Sequence, residues 1–175
     1  MQKGVLRKRK PRPLSEYGRQ LREKQELKEQ YNLRERQFSK YVKKALSKTK
    51  RTESSPELLM RELETRLDNV IYRMGLAQTR NQSRQMVSHG HFLVNGKPSN
   101  IPSHSLKIGD VVTVHPSSLG TALFKNSQIV LKKYEAPKWL DLDKEKLEAK
   151  IVAKPTLEEI APNVELSLIF EFYSR

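Results

Sequence analysis

Residues 66–96 read RLDNVIYRMGLAQTRNQSRQMVSHGHFLVNG, and their first two thirds predict a pair of helices. Apolar residues recur at helical spacing over residues 59–74, and Gly75 suits the left-handed conformation that ends many helices. Thr79 then begins a capping pattern for a second helix, which Gly90 is expected to end. A two-helix unit with a tight turn between its helices is therefore predicted.

The periodicity changes directly after this helix pair. Phe92–Val94 lead into Asn95-Gly96, which is the favoured two-residue turn of a β-hairpin. Val111–Val114 follow a turn and predict another short strand. Further strands are expected at residues 129–133 and 166–172, and a short charged helix at residues 139–150. This mixture predicts an α+β fold.

The region before the helix pair is mostly helical by the same criteria. Residues 3–13 are basic and contain two prolines, so they predict an extended arm. Ser15 is expected to start one helix, and Asn32 with Glu35 is expected to cap the next. Ser55 precedes a proline and an acidic residue, which is a strong helix start. Residues 47–54 are predicted to form a polar linker between the second of these helices and the third.

Positive charge is concentrated in the N-terminal third of the chain. The formal net charge is +14, with 34 Lys and Arg against 20 Asp and Glu. Residues 1–55 hold 18 of these basic and 6 of these acidic residues, a balance of +12. Such an excess indicates a polyanionic partner, and counterion release from phosphates is the simplest force that favours it.

Composition excludes several classes of protein. The chain holds no cysteine, which rules out disulfides and thiolate metal sites. No apolar run approaches the roughly 20 residues that a membrane-spanning helix needs. The basic start lacks the apolar core of a secretory signal and the serines of a transit peptide. We therefore expect a cytoplasmic protein, rather than an organellar one, that spans no membrane.

The second helix of the pair offers the clearest binding face. Arg80, Arg84, Gln85 and Ser88 lie three or four residues apart, so they share one side of the helix. Their guanidinium, amide and hydroxyl groups suit phosphates and the 2′-hydroxyls of the wide minor groove of A-form RNA. This pattern predicts an RNA-binding face.

Several separated motifs resemble one family. RLDNVIYRMGLA at 66–77, TR at 79–80, QMVSHGH at 85–91, VNGK at 94–97 and GDV at 109–111 resemble the RNA-binding module named after small-subunit ribosomal protein S-four. Outside this module, SEYGRQLREKQ at 15–25, ERQF at 35–38 and FEFYSR at 170–175 resemble the ribosomal protein family itself. The match covers nearly the whole chain from Ser15 onward.

The resemblance implies an α+β architecture in two parts. One part is a helical domain at 15–64, preceded by a basic extended arm at 1–14 and completed by a C-terminal strand and tail at 159–175. The other is an RNA-binding module with a small, mostly antiparallel sheet, inserted at 65–158. Some family members carry a four-cysteine zinc site in a longer N-terminal segment. Because this chain has no cysteine, we expect neither a metal nor a cofactor.

The charge pattern and the resemblance together give a set of expected contact residues. RNA contacts are expected from the arm through Arg7, Lys8, Arg9, Lys10 and Arg12, and from the helical domain through Tyr17, Arg19, Gln20, Arg22, Lys24, Gln25 and Arg36. The module is expected to add Arg66, Asn69, Arg73, Arg80, Arg84, Gln85, Ser88, His89, His91 and Lys97. A contact with a protein partner is expected at Tyr173, Ser174 and Arg175.

The resemblance further implies a function. It implies a non-enzymatic constituent of the small ribosomal subunit that binds small-subunit ribosomal RNA early in assembly, at a multi-helix junction of the 5′ domain. It also implies a contribution to decoding fidelity through contact with ribosomal protein five, and a position near the mRNA entry channel. A homo-oligomer is not expected.

Other readings fit the chain less well. A pseudouridine synthase needs a large catalytic domain after the module, and only residues 116–175 remain. A freestanding RNA-binding stress protein would not need the helix at 15–25 or the Tyr-Ser-Arg ending. Membrane binding by the arm would need an apolar helical face. Among single residues, His89 and His91 lack a third metal ligand, Asp68 suits a paired structural acid, and Trp139 suits packing.

Overall fold

The computed structural model describes residues 13–48 and 54–174. Within them the chain order is α1 (Glu16–Gln30), α2 (Glu35–Ser47), α3 (Ser55–Glu64), α4 (Leu67–Arg73), α5 (Arg80–Ser88), β1 (Phe92–Val94), β2 (Lys97–Pro98), β3 (Val111–Val114), a 3-10 helix (Pro116–Ser118), α6 (Ser127–Lys132), β4 (Leu140–Asp143), β5 (Glu148–Ile151), α7 (Leu157–Ile160) and α8 (Leu166–Ser174). This mixture of helices and a small sheet confirms the predicted α+β fold. The arm residues Arg7, Lys8, Arg9, Lys10 and Arg12, and Arg175 at the other end, lie outside the described residues.

One hydrophobic core belongs to α1–α3, α7 and α8, which we call the helical part. It buries apolar side chains from each of the three N-terminal helices, including Leu27, Phe38 and Leu63. Ile169 and Phe170 of α8 complete this core. The first helix, α1, and the last helix, α8, thus pack in the same core, although nearly the whole chain lies between them in sequence.

A second core lies under a five-stranded antiparallel sheet with the order β2-β1-β3-β5-β4. We call this sheet with α4–α6 the sheet module. Val70, Ile71 and Met74 of α4 pack there with Phe92 of β1 and Trp139. Trp139 is almost fully buried, so it packs in the core as its sequence setting indicated. The domain boundaries at residues 65 and 159 stay a prediction, which the two cores support.

Most of the predicted start and stop signals occupy their expected positions. The hydroxyls of Ser15 and Thr79 accept hydrogen bonds from backbone amides at the starts of α1 and α5. Gly75 has a positive φ of 77°, and Asn95 and Gly96 both have positive φ in the hairpin turn. Such φ values are those that a type I′ turn requires.

Two cap assignments were wrong by one or two residues. Ser54, rather than Ser55, caps α3, because its hydroxyl accepts from the backbone amide of Glu57. Arg34, rather than Asn32, is the N-cap residue of α2. Asn32 instead adopts a left-handed conformation with φ 50°, which asparagine tolerates better than most residues. It therefore ends the turn after α1 instead of starting α2.

The helix predicted over residues 59–74 is broken at Thr65 and Arg66. There the chain pairs briefly with a loop of the sheet module, where Arg66 forms an isolated antiparallel bridge with Ser105. The amide of Leu106 donates to the Thr65 carbonyl at 2.9 Å. The amides of Leu67 and Asp68 donate to the carbonyls of His104 and Pro102 instead of to helical partners, and periodicity along one segment does not reveal these tertiary bonds.

Three predicted elements were of the wrong type. Residues 166–172, expected as a strand, form α8, and residues 129–133, also expected as a strand, fall largely in α6. Residues 139–150, expected as a helix, form the β4–β5 hairpin. A short apolar run can fit both the helical period of 3.6 and the strand period of two. Leu166 and Leu168 fit a strand, but a helical face is fitted equally well by Leu166, Ile169, Phe170 and Tyr173.

Candidate nucleic-acid interface

The exposed face of α5 borders a wide polar groove between the two parts of the molecule. The groove has a volume of about 660 Å³ and is lined by Asn32, Arg34, Asn81, Gln82, Arg84, Gln85 and Ser88. We call it the interdomain groove. These described residues supply two guanidinium groups, four amides and a hydroxyl, and none of them is a carboxylate. This composition suits an anionic ligand with many hydrogen-bonding groups.

Both walls of the interdomain groove are held together by direct hydrogen bonds. Nη1 of Arg84 donates to the backbone carbonyl of Asn32 at 2.9 Å. The side-chain amide of Asn32 also donates to Asn81 at the start of α5. Because Asn32 lies in the turn between α1 and α2, these bonds fix that turn against α5. The two walls are therefore aligned without any ligand.

Arg80, one turn before Arg84, lies inside the molecule instead of on this face. Its Nε donates to Oδ1 of Asn69 at 2.7 Å. Its guanidinium carbon lies 4.4 Å from the ring centre of Tyr31 and 4.5 Å from that of Tyr72. Only 13% of its side chain is exposed. Arg80 is thus held inside the protein by stacking and hydrogen bonding, although helical spacing predicted that it would share an exposed face with Arg84.

A buried carboxylate organises the residues around Arg80. Glu64, the last residue of α3, accepts from Nε of Arg73 at 2.9 Å and from Nη2 at 2.8 Å. It also accepts from Nδ2 of Asn69 at 2.8 Å and from the hydroxyl of Tyr31. Nη2 of Arg80 lies 3.7 Å from the same carboxylate. We call Glu64 and these four partners the Glu64 network; it joins α1, α3, α4 and α5.

The pKa values in the Glu64 network follow from this arrangement. Burial alone would raise the pKa of Glu64, but hydrogen bonds and charge from Arg73, with hydrogen bonds from Tyr31 and Asn69, lower it below its ordinary value of 4.5. For Tyr31, burial and the neighbouring Glu64 carboxylate both raise the pKa. Glu64 is thus ionised and Tyr31 protonated at neutral pH.

A second buried ion pair fixes the junction at Arg66. Its Nη2 lies 2.7 Å from Oδ2 of Asp68, and its Nη1 donates to the hydroxyl of Tyr41 at 2.6 Å. Burial would lower the pKa of Arg66, but the hydrogen bonds and charge of Asp68 and Tyr41 raise it. Arg66 and Asp68 are both buried, and together they tie α2 to α4.

The expected contact residues of the helical part divide by exposure. Tyr17, Arg19, Arg22 and Arg36 are exposed, and Gln25 is half-buried. Gln20 and Lys24 are buried: Gln20 donates to Glu171 at 3.0 Å, and Lys24 pairs with Glu35 at 3.0 Å. The last two hold α1 against α8 and α2, so in this structure they offer little surface to a ligand.

The remaining module candidates lie near the end of α5 and the first hairpin. His89 is exposed, and its ring centre is 6.0 Å from that of half-buried His91. Nδ1 of His91 is 2.8 Å from Oγ of Ser118, which ties this ring to the 3-10 helix. Lys97 is exposed on β2, at the edge of the sheet. Asn69 is buried, so of these side chains His89 and Lys97 are the most accessible.

The expected protein-contact residues lie at the end of α8. The hydroxyl of Tyr173 donates to Glu35 at 2.7 Å, and Oγ of Ser174 donates to the carbonyl of Phe170. The neighbouring ring of Phe172 lies 5.7 Å from that of exposed Tyr17. The end of α8 and the start of α1 therefore form one surface with an aromatic component.

Sequence reasoning missed four lining residues of the interdomain groove: Asn32, Arg34, Asn81 and Gln82. Of these, Asn32 is predicted by the sequence only as a capping residue. The signal for Asn32 is its residue type, since asparagine is enriched in left-handed turns. Its contact with Arg84, 52 residues away in sequence, has no local signature.

Other kinds of site receive no support from the residues that the structure describes. Within 13–48 and 54–174, no three His, Asp or Glu side chains are grouped closely enough to hold a metal ion. In the same residues, no helix is long and apolar enough to cross a membrane.

Two family models match consecutive parts of the chain. The model described as "Ribosomal protein S4/S9 N-terminal domain" matches residues 1–64, and the "S4 domain" model matches residues 65–112. The boundary between them falls at Thr65, where the helix predicted over 59–74 is broken. Together the two models cover more than half of the chain.

Bacterial relatives match along most of their length. Small ribosomal subunit protein uS4 of Halothermothrix orenii is 47% identical over 97% of this chain and 78% of its own. The protein of that name from Chloroflexus aurantiacus is 46% identical over 94% of this chain and 79% of its own. Protein uS4A of Alkaliphilus metalliredigens is 45% identical over 99% and 80%, respectively. The chain belongs to the family of small ribosomal subunit protein uS4, a structural and non-enzymatic component of the small ribosomal subunit.

Proposed function

We propose that this chain binds small-subunit ribosomal RNA through the interdomain groove and the exposed face of α5. The observation that carries the proposal is the composition of the groove: its described lining residues include Arg34 and Arg84 among amide groups, and none of them is a carboxylate. Guanidinium groups pair with phosphates in a bidentate manner, and amides suit 2′-hydroxyls and the edges of unpaired bases.

We further propose that the RNA target is a junction of several helices in the 5′ domain and that binding is primary, preceding that of other proteins. Preorganisation supports this view. The bond from Arg84 to Asn32 and the Glu64 network align both walls before RNA is present, so little ordering cost remains to oppose binding. A rigid surface of this kind can hold two backbone segments at a fixed separation, which is what a junction needs during assembly.

The N-terminal cations are proposed to extend this interface. The balance of +12 in residues 1–55 far exceeds the +2 of the other 120 residues. Exposed Arg19, Arg22 and Arg36 carry part of it on α1 and α2. Phosphate contacts made by such residues are independent of sequence and position the protein on its RNA.

The end of α8 is the proposed contact with ribosomal protein five, through which the chain would contribute to decoding fidelity near the mRNA entry channel. Tyr17 and Phe172 supply aromatic surface beside Tyr173 and Ser174, and aromatic residues are enriched in protein interfaces. We propose a cytoplasmic ribosome as its location and no homo-oligomer.

The test compares three alanine variants in binding to one fragment of small-subunit RNA. Arg84→Ala and Arg34→Ala should each weaken binding about tenfold, because a charge-assisted hydrogen bond contributes roughly 1.5 kcal/mol or more and 1.4 kcal/mol is tenfold. Lys146→Ala is the control, since this lysine lies in the β4–β5 turn with 75% of its side chain exposed. Its loss should change affinity less than twofold.

Equal effects for all three variants would contradict the proposal, because they would mean that charge matters without regard to position. Thermal unfolding of each variant separates binding from folding. Arg84→Ala also removes the bond to Asn32, so its affinity is compared with that of Gln85→Ala, an exposed groove residue that has no such bond.

A further inference from the structure

A second groove, smaller and less polar, lies between the end of α3 and the segments that flank β3 and β5. It has a volume of about 380 Å³. Its apolar lining includes Leu106, Ile108 and Ile151, and cationic side chains of Arg61, Lys107 and Lys154 stand among them. We call this site the apolar groove. It shares no lining residue with the interdomain groove.

Backbone hydrogen bonds build the apolar groove and make its walls rigid. The amide of Leu106 donates to the Thr65 carbonyl at 2.9 Å, which fixes one wall to the end of α3. The amide of Gly109 donates to the Ile151 carbonyl at 2.8 Å, and that of Ile151 donates to the Asp110 carbonyl at 3.0 Å. The groove is therefore a fixed feature of the fold.

Two apolar side chains are exposed at the apolar groove. Ile108 is 56% exposed and lies in the groove, and Val152, which follows Ile151, is 45% exposed. Single exposed apolar residues are ordinary, but an apolar groove with apolar residues at its margin marks an interaction site. Covering Ile108 and Val152 with a partner would remove apolar surface from water.

The charges around the apolar groove indicate the chemistry of its occupant. Among the lining residues that the structure describes, Arg61, Lys107 and Lys154 are cationic and Glu62, which pairs with Lys44 at 2.7 Å, is acidic. The net positive rim complements a segment that carries carboxylates. Among the described lining residues, none has an aromatic ring or a side-chain amide, which are the groups that stack on or read unpaired bases. A protein segment suits this surface better than RNA does.

We propose that the apolar groove docks a short segment of another small-subunit protein, in which apolar side chains alternate with Asp or Glu. The apolar side chains would pack on exposed Ile108 and Val152, beside the buried Leu106 and Ile151, and the carboxylates would face Lys107 and its cationic neighbours. This contact is separate from the proposed RNA interface and from the proposed contact at the end of α8.

The chain holds no cysteine, so one substitution creates a single labelling site. Ile108→Cys, labelled with a thiol-reactive benzophenone, is assembled into small subunits with the RNA and the other small-subunit proteins, and is then irradiated. Ile129→Cys on α6, where 67% of the native side chain is exposed, is the matched control. Cross-linked peptides and nucleotides are identified by mass spectrometry.

The proposal expects Ile108→Cys, and not the control, to cross-link to one protein segment that contains apolar residues and at least two carboxylates. Adding Lys107→Glu should reduce that yield about fivefold or more, because like charges across an interface are penalised. Cross-links to RNA alone, a partner segment without carboxylates, or a yield no higher than that of the control would overturn it. Lys107→Glu should leave affinity for the isolated RNA fragment unchanged, whereas failure of the RNA proposal would appear in the Arg84→Ala and Arg34→Ala measurements.

Discussion

Replacing Glu64 by glutamine tests whether the Glu64 network holds the two parts of the molecule together. The substitution keeps the shape of the side chain and removes one negative charge. Arg73, which made two hydrogen bonds to this carboxylate, and Arg80, whose Nη2 lies 3.7 Å away, then lose their common counter-charge. Glutamine offers one acceptor oxygen where the carboxylate offered two, so the hydrogen bonds from Tyr31 and Asn69 also compete for it.

The magnitude follows from burial. Glu64 is fully buried, and the side chains of Arg73 and Arg80 are only 23% and 13% exposed. Breaking a buried ion pair by removing one partner typically costs about 3–5 kcal/mol, because the remaining charge is uncompensated. Partial exposure of Arg73 places the expectation near the low end, at about 3 kcal/mol. For a protein of this size that corresponds to a melting temperature lower by roughly 6–12 °C.

Urea unfolding followed by circular dichroism measures this loss as a shift of the midpoint at constant slope. Glu26→Gln is the matched control, because Glu26 is an exposed glutamate on α1. Its substitution should change the free energy of unfolding by less than about 0.5 kcal/mol, as surface changes usually do. If Glu64→Gln cost no more than Glu26→Gln, the network would contribute nothing measurable and the argument for a preorganised interface would fail.

The pH dependence provides an independent check on the same residue. Because the folded pKa of Glu64 lies below its ordinary value of 4.5, its ionised form stabilises the fold above the unfolded pKa. That stabilisation is lost as the pH falls from about 4.5 through the lower folded value. The difference in stability between the native chain and Glu64→Gln should therefore be largest near neutral pH and should shrink in acid. A difference that stays constant down to pH 3 would contradict the assignment.

Two further outcomes follow from charge and packing. Affinity for small-subunit RNA should fall with salt at a log–log slope near −5, as expected if about six phosphates are neutralised; a slope shallower than about −2 would refute the dominance of phosphate contacts. Ile169→Ala should lower the free energy of unfolding by about 2–5 kcal/mol, since a fully buried side chain of the α8 core is removed. Ile129→Ala, at an exposed position on α6, should change it by less than about 0.5 kcal/mol in the same urea titration.

Features that depend on a few consecutive residues were predictable from the sequence. The caps at Ser15 and Thr79, the stop at Gly75 and the turn at Asn95-Gly96 each rest on one residue type that a local backbone conformation requires. The α+β class followed because these signals switch from helical spacing to alternation within 66–96.

Features that depend on distant partners were not predictable in this way. The type of residues 166–172 is decided by packing against α1 and α2, since the same apolar residues suit either period. The hairpin at 139–150 is stabilised in part by Asp143, whose Oδ1 accepts from the amides of Glu145 and Lys146 at the turn. Its charged composition suggested a helix, yet Leu147 and Ala149 face the sheet core.

Contacts with distant residues also decide which cationic side chains are available to RNA. Four arginines of the sheet module were expected at its RNA interface, but Arg66, Arg73 and Arg80 each lie within 4 Å of a buried carboxylate. Only Arg84 borders the interdomain groove. A guanidinium held against a buried carboxylate is less available for a direct phosphate contact, because it already donates to or faces that carboxylate, although Arg73 and Arg80 share the one carboxylate of Glu64. We expect most of the electrostatic attraction to come from residues 1–55, where the balance of +12 resides. The sheet module, on this reasoning, contributes mainly shape and the polar α5 wall, and residues 1–55 contribute most of the salt-dependent affinity.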